Sequence, residues 1–185
     1  MQDNKINISY AKALFMLAGE TGEQDAVAEE MRLVSQVCHS SRELCAVFRN
    51  PEIKAVKKAA IVSDIFGTQV GRTTMAFINF VVRKKRSVNL GGIAEAYLDR
   101  YRDSRGIVLS QLTTAVPIDD DVKEAASKLI ADYTHKQVEL CTKTDPAIIG
   151  GLAMEFDNTM YDARISTRLA KLRQEFAKNV YESKL

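Results

Sequence analysis

The chain has 185 residues, 46% of them hydrophobic and 27% charged, with a formal net charge of +2. That balance suits one or two globular domains with a proper core, excludes disorder, and removes any global reason to expect a nucleic-acid partner. No apolar run approaches the ~20 residues that span a bilayer, and Met1-Gln2-Asp3-Asn4-Lys5 opens neither a signal peptide nor an Arg-rich presequence. No direct membrane insertion is expected.

Through about residue 105 the chain shows helical patterns and breakers, with almost no strand signal. Asn7 to Ala18 reads as a first helix, stopped near Gly19 and Gly22. Its apolar residues do not fit one stripe. Ile8, Ala11, Phe15 and Ala18 make one face, and Tyr10, Ala13, Leu14 and Leu17 make a second. Such a helix must bury nearly all its circumference, either at the centre of a bundle or with one face held for a partner. Thr21-Gly22-Glu23-Gln24 has the spacing of a capping box and starts a second helix with the stripe Val27, Met31, Val34 and Cys38.

A short helix from Glu43 to Phe48 ends at Asn50-Pro51, and a fourth runs from Lys54 to Phe66, closed by Gly67. The fifth, about Arg72 to Lys85, repeats the oddity of the first. From Met75 to Val82 it is apolar on every side except at Asn79. The sixth is ordinarily amphipathic, with Leu90, Ile93, Ala94, Tyr97, Leu98 and Tyr101 on one face.

At Ser104-Arg105-Gly106 the period changes. Ile107 to Val116 reads as a strand ended by Pro117. Asp119-Asp120-Asp121 caps a helix whose Val122, Ala126, Leu129, Ile130 and Tyr133 are expected to face inward. Val138 to Lys143 alternates as a half-buried strand. Asp145-Pro146 then marks a turn, and Gly150-Gly151 opens a hairpin with Asp157-Asn158 at its tip and Asp162-Ala163-Arg164 in its second strand. A last helix begins near Ser166, with Leu169, Leu172, Phe176 and Val180 at helical spacing. The fold expected is mainly α: a six-helix N-terminal bundle (1–105) followed by a smaller α+β domain (106–185). Sixteen basic and twelve acidic side chains before residue 106, against ten and twelve after it, weakly suggest separate partners for the halves.

Candidate chemistry is sparse. Cys38, Cys45 and Cys141 form an odd, widely spaced set without a C-x-x-C pair, which points to free thiols in a reducing compartment and to buried structural cysteine. His39 and His135 stand about a hundred positions apart, near helix ends, with no nucleophile elbow. Gly91-Gly92 and Gly150-Gly151 lack the spacing and the Lys-Ser/Thr of a phosphate loop, so no catalytic centre, cofactor or metal is expected. Arg83-Lys84-Lys85-Arg86 is the strongest charge run. It reads as a solvated helix end that complements the dipole, with a nucleic-acid-binding adaptor as the alternative.

Several of these segments together resemble one family. The stretch from Asp145 through Gly150-Gly151 to Asp162 is similar to the signature region of the delta subunits of rotary ATP synthases, which include the oligomycin-sensitivity-conferring protein. Tyr10-Ala11-Lys12-Ala13-Leu14-Phe15 resembles the family's opening Tyr-Ala-x-Ala-Leu, and Asn50-Pro51 falls where its third helix breaks. Phe77 to Leu90 is similar to the stretch that ends in a charged turn. The family usually carries Asp-x-Ser where this chain has Asp162-Ala163-Arg164.

The resemblance implies a non-catalytic connector in the peripheral stalk, present in one copy of a hetero-oligomeric complex. Its helical domain would grip the N-terminal helix of an alpha subunit in a groove lined by Tyr10, Ala13, Leu14 and Leu17 on one wall and Ala76, Phe77 and Phe80 on the other. Its C-terminal domain would engage membrane-anchored b subunits. The implied location is peripheral, on the cytoplasmic face of a bacterial inner membrane or the matrix or stromal face in an organelle.

Overall fold

The computed structural model describes residues 2–156 and 159–178 and divides into two compact units, Met1–Ser104 and Arg105–Leu185. The architecture is mostly helical with one small sheet.

The first unit holds α1 (Gln2–Thr21), α2 (Gln24–Ser40), α3 (Arg42–Arg49), α4 (Ala55–Phe66), α5 (Arg72–Arg83), a 3₁₀ turn at Ser87–Asn89 and α6 (Leu90–Arg105). Helix α1 is longer than expected at both ends. Gly19 lies inside it, since one helical glycine costs only about 1 kcal/mol, and the break waits for Gly22 at φ +69°. The expected capping box is therefore absent. Thr21 is still helical, its Oγ1 donating back to the Leu17 carbonyl at 3.3 Å, and α2 starts from Glu23 without a side-chain cap. By contrast Ser41 does cap α3, accepting from the Leu44 amide at 3.2 Å.

Helix α5 stops two residues early. Lys85 takes a left-handed conformation (φ 58°), with its amide on the Val82 carbonyl and that of Arg86 on Val81. This is a Schellman ending with lysine at the site where glycine is usual.

The apolar stripes read from α2 and α6 are buried: Val27, Met31, Val34 and Cys38 from one, Leu90, Ile93, Ala94, Tyr97 and Leu98 from the other. Into the same core go Ala11, Leu14 and Ala18 of α1 and Phe77, Ile78, Val81 and Val82 of α5. Ile8, placed with the core face of α1, is instead exposed near that helix's first turns. The Tyr97 hydroxyl reaches the Gln24 carbonyl at 3.3 Å, which satisfies the polar end of the largest buried side chain.

The second unit runs β1 (Ile107–Thr114), α7 (Asp120–Thr134), β2 (Gln137–Thr144), a 3₁₀ turn at Pro146–Ile148, β3 (Leu152–Phe156), β4 (Thr159–Asp162) and α8 (Ile165–Lys178). The sheet order is β2-β1-β3-β4. Strand β2 lies parallel to β1 from Ile107↔Gln137 to Thr114↔Thr144, the pairing that a helical crossover such as α7 permits. Strands β1 and β3 are antiparallel, as are β3 and β4, with Phe156 opposite Thr159. The expected turn residues Asp157 and Asn158, and Val180 of the last helix, lie outside the described residues.

Alternation in β1 sends Val108 and Leu112 to a core shared with Ile130, Met154 and Phe156. Two expectations for α7 fail. Of its inward-assigned residues Ile130 is buried and Ala126 half-buried, while Val122, Leu129 and Tyr133 are exposed, the last two by 57% and 70%. Helix α7 packs mainly against β2 at the edge of the sheet, so only the Ala126–Ile130 line of the helix is covered. Asp119 occupies the cap position but makes no side-chain cap bond; the acidic start acts through charge, with Asp120 paired to Lys123 at 2.7 Å.

Candidate partner-binding groove

Helices α1 and α5 lie side by side with an open groove of about 670 Å³ between them. All seven residues singled out from the sequence line it: Tyr10, Ala13, Leu14 and Leu17 from α1, Ala76, Phe77 and Phe80 from α5. Their positions have a physical logic. Leu14 and Phe77 are buried and form the floor, shared with the core beneath. Leu17 and Phe80, by contrast, are 43% and 47% exposed, and Ala13 and Ala76 face solvent. Two small side chains on opposite walls keep the space between the helices wide.

The two ends differ. At one, the Tyr10 and Phe80 rings meet with centroids 6.2 Å apart, and the Lys84 ammonium sits 5.5 Å from the Phe80 ring centre. At the other lie Thr21, Arg72 and Thr73, where the Glu23 carboxylate accepts from Thr73 Oγ1 at 2.7 Å and from Thr21 Oγ1 at 3.2 Å. From Tyr10 to Thr21 the α1 wall is about 16 Å long at 1.5 Å per residue, the length of three turns of a guest helix. Sequence reading missed the polar end, because Thr73 and Arg72 carry no apolar excess.

The Gly-Gly segment leads into the β3–β4 hairpin, as read from the sequence, and is also a joint with α8. Ile149 and Gly151 both have positive φ, at 66° and 80°. A Cβ on Gly151 would lie 2.3 Å from the Ala163 carbonyl oxygen, and one on Gly150 would press on Ile165 at 2.9 Å. The Ile165 amide donates to the Gly150 carbonyl at 3.0 Å, so the start of α8 is laid directly across these glycines. Asp162 organises the same joint. One of its oxygens accepts from the Arg164 amide and Nε, and the other from an Arg164 terminal nitrogen at 2.7 Å and from Thr167 Oγ1 at 3.0 Å. Hydrogen bonds from the Arg164 side chain, then its backbone, hold the Asp162 carboxyl well below the usual carboxylate range. Arginine at this triplet thus supplies a forked partner to the aspartate.

The remaining candidates are scattered. Cys38 is buried, and burial followed by nearby Cys45 pushes its thiol up to about 11. Cys45 is half-buried, donating to the Cys38 carbonyl, whereas Cys141 is exposed on β2, contrary to the expectation of buried cysteine. His39 sits in the last turn of α2, 3.2 Å from Glu95, and His135 ends α7 in a left-handed conformation. Among the described residues no group of His, Cys, Asp or Glu side chains is arranged to hold a metal, and no helix is long and apolar enough to cross a membrane. Arg83 to Arg86 is exposed at the end of α5.

Similarity to known proteins extends along nearly the whole chain. The profile of the ATP synthase delta (OSCP) subunit family matches residues 6–176. The ATP synthase subunit delta of Cytophaga hutchinsonii is 31% identical over 180 residues, 97% of this chain and 98% of that protein. That of Syntrophomonas wolfei is 31% identical over 176 residues, covering 95% and 96%. A chain in the cryo-EM structure of the Toxoplasma gondii mitochondrial ATP synthase hexamer shares the fold, with a TM-score of 0.73 at 17% identity, over 94% of this chain and 98% of that one. None of these matches favours a nucleic-acid role for the basic run. The chain belongs to the ATP synthase delta (OSCP) subunit family, and is a structural subunit of the synthase, not itself catalytic.

Proposed function

We propose that this subunit is the stator connector of a rotary, ion-driven ATP synthase, holding the catalytic head against the torque of the rotor. In this reading the α1–α5 groove of a helical bundle takes the N-terminal helix of an alpha subunit. The second unit engages the membrane-anchored b subunits, so the chain reaches the membrane as a peripheral component in one copy per complex. The groove carries the proposal: an apolar channel of about 670 Å³ whose walls are exposed Leu17, Phe80, Ala13 and Ala76. An amphipathic helix laid into such a groove buries its apolar face at i, i+3, i+4 and i+7. Each ~400 Å² of apolar surface so removed from water supplies about 10 kcal/mol gross, part of which offsets lost translational and rotational freedom. That scale suits a joint that must release slowly against turnover.

For the second unit, the supporting observation is the exposed row Leu169, Leu172 and Phe176 on α8, together with Leu129 and Tyr133 on α7. These side chains have the spacing of a helix face that meets another helix.

Ala13→Asp tests the groove. The variant places a carboxylate where a guest backbone would come closest, and an unpaired charge desolvated there costs several kcal/mol. A penalty of about 3 kcal/mol weakens binding of an alpha-subunit N-terminal peptide about a hundredfold in calorimetry. In the free protein Ala13 faces solvent, so melting should change by less than about 1 kcal/mol. Unchanged affinity would move the binding surface elsewhere.

A further inference from the structure

A second cavity, of about 490 Å³, lies between the end of α3, the start of α4 and the turn after α5. Four basic residues line it, Arg49, Lys54, Lys58 and Lys85, and no acidic residue does among the described lining. Lys58 is the unusual member. It is only 8% exposed, and its Nζ donates to the neutral Phe48 carbonyl at 2.7 Å, which Ser87 Oγ also approaches at 3.3 Å. An ammonium carries three donors, and among the described residues no carboxylate pairs with this one. A buried cation without a counter-charge is costly, and an anion brought into the cavity offsets that cost.

Two backbone features point the same way. Helix α4 opens on Lys54 with no side-chain cap, which leaves its first-turn amides and the positive end of its dipole at the cavity edge. Lys85 is held on the rim by the left-handed turn that ends α5. The lining also includes the apolar side chains of Pro51, Ile53, Val82 and Val88, and the volume far exceeds what a bare oxyanion fills.

We propose that this cavity binds a phosphate monoester carried on a small apolar body. Lys58 sits at the base as the buried counter-charge. Arg49 and Lys85 close over the phosphoryl oxygens from the rim, and the Pro51–Ile53 side receives the organic part. Several cations plus helix amides favour a dianion over a carboxylate, and the apolar side chains favour an ester over free phosphate.

The test titrates the full-length chain, in low-salt buffer free of phosphate, with phenyl phosphate, inorganic phosphate and benzoate, followed by calorimetry and ³¹P line broadening. Phenyl phosphate should bind saturably at one site per chain, at least about tenfold more tightly than either other probe, a difference of about 1.4 kcal/mol. Lys58→Met should weaken it at least tenfold by that same scale, and so should the double variant Arg49→Gln/Lys85→Gln. Lys84→Gln, outside the cavity, should leave it unchanged. The double variant alters only exposed side chains, so it decides the matter if Lys58→Met does not fold. Absence of saturable binding, or binding untouched by the double variant, overturns the site. Equal affinity for benzoate overturns the phosphate assignment, and equal affinity for inorganic phosphate overturns the ester.

Discussion

The two units of this chain are held together on different scales. Among the described residues, twenty-one buried apolar side chains form one continuous core in the helical unit, whereas five do so in the sheet unit. The difference exceeds what length explains, since the second unit is only about a quarter shorter. Among the described residues, each of α1 to α6 sends buried side chains into the core of the helical unit. The sheet unit covers its strands with α7 along one narrow line and leaves Leu129, Tyr133, Leu169, Leu172 and Phe176 exposed. A domain that buries less apolar surface is closer to the margin of stability. It also has more apolar surface left to offer a partner. The helical unit leaves Leu17 and Phe80 exposed in the groove between α1 and α5, and Ile8, Met16, Val56 and Val88 exposed outside it.

The sharpest break of this contrast is a cavity placed in the thin core. Leu112 is fully buried at the centre of β1, and Leu112→Ala should cost about 2–5 kcal/mol. With so few neighbours to share the loss, the sheet unit should unfold while amide spectra of residues 1–104 stay dispersed. Loss of both sets of signals together would show that the units fold as one.

Next in size is the joint under α8. Gly151→Ala forces a Cβ toward the Ala163 carbonyl at a positive φ, a strain worth about 1–3 kcal/mol. A lowered melting temperature confined to the second unit is expected. An unchanged melt would mean that α8 simply lifts away and that the glycines carry little.

Asp162 gives a smaller, pH-dependent effect. Its folded pKa lies below the unfolded value, so its contribution is complete above the unfolded carboxylate pKa of about 3.9 and is lost as pH falls from there toward the folded value. Asp162→Asn should therefore melt below wild type at neutral pH, with the gap closing under about pH 4. A gap independent of pH would assign the residue a steric role.

The smallest effect should follow the largest cut. A fragment of residues 1–105 retains the entire helical core, and its melting temperature should match that of the helical transition in the full chain. Coil-like circular dichroism would remove the boundary.

The elements and their order were legible in the residues themselves. Stripes at a period of 3.6 in α2 and α6, the strand-forming run of β1 closed by Pro117 and the breakers at Asn50-Pro51 and Gly106 act through local backbone and side-chain geometry, which a linear pattern records. The double-sided apolar content of α1 and α5 likewise marked a second apolar face on each, which the structure leaves open along the groove. Termini were less legible: Gly19 could be absorbed by a helix, and Thr21 could serve either as cap or as helical residue. Tertiary structure alone decided that β2 pairs parallel with β1, because pairing depends on contacts distant in sequence. It alone decided that the stripe of α7 stays largely uncovered, because coverage depends on which part of the sheet the helix lies over, here the edge strand β2. And it alone placed Gly150 and Gly151 beneath α8, and Lys58 in a basic cavity, since close approach and buried charge are properties of neighbours that no local pattern names.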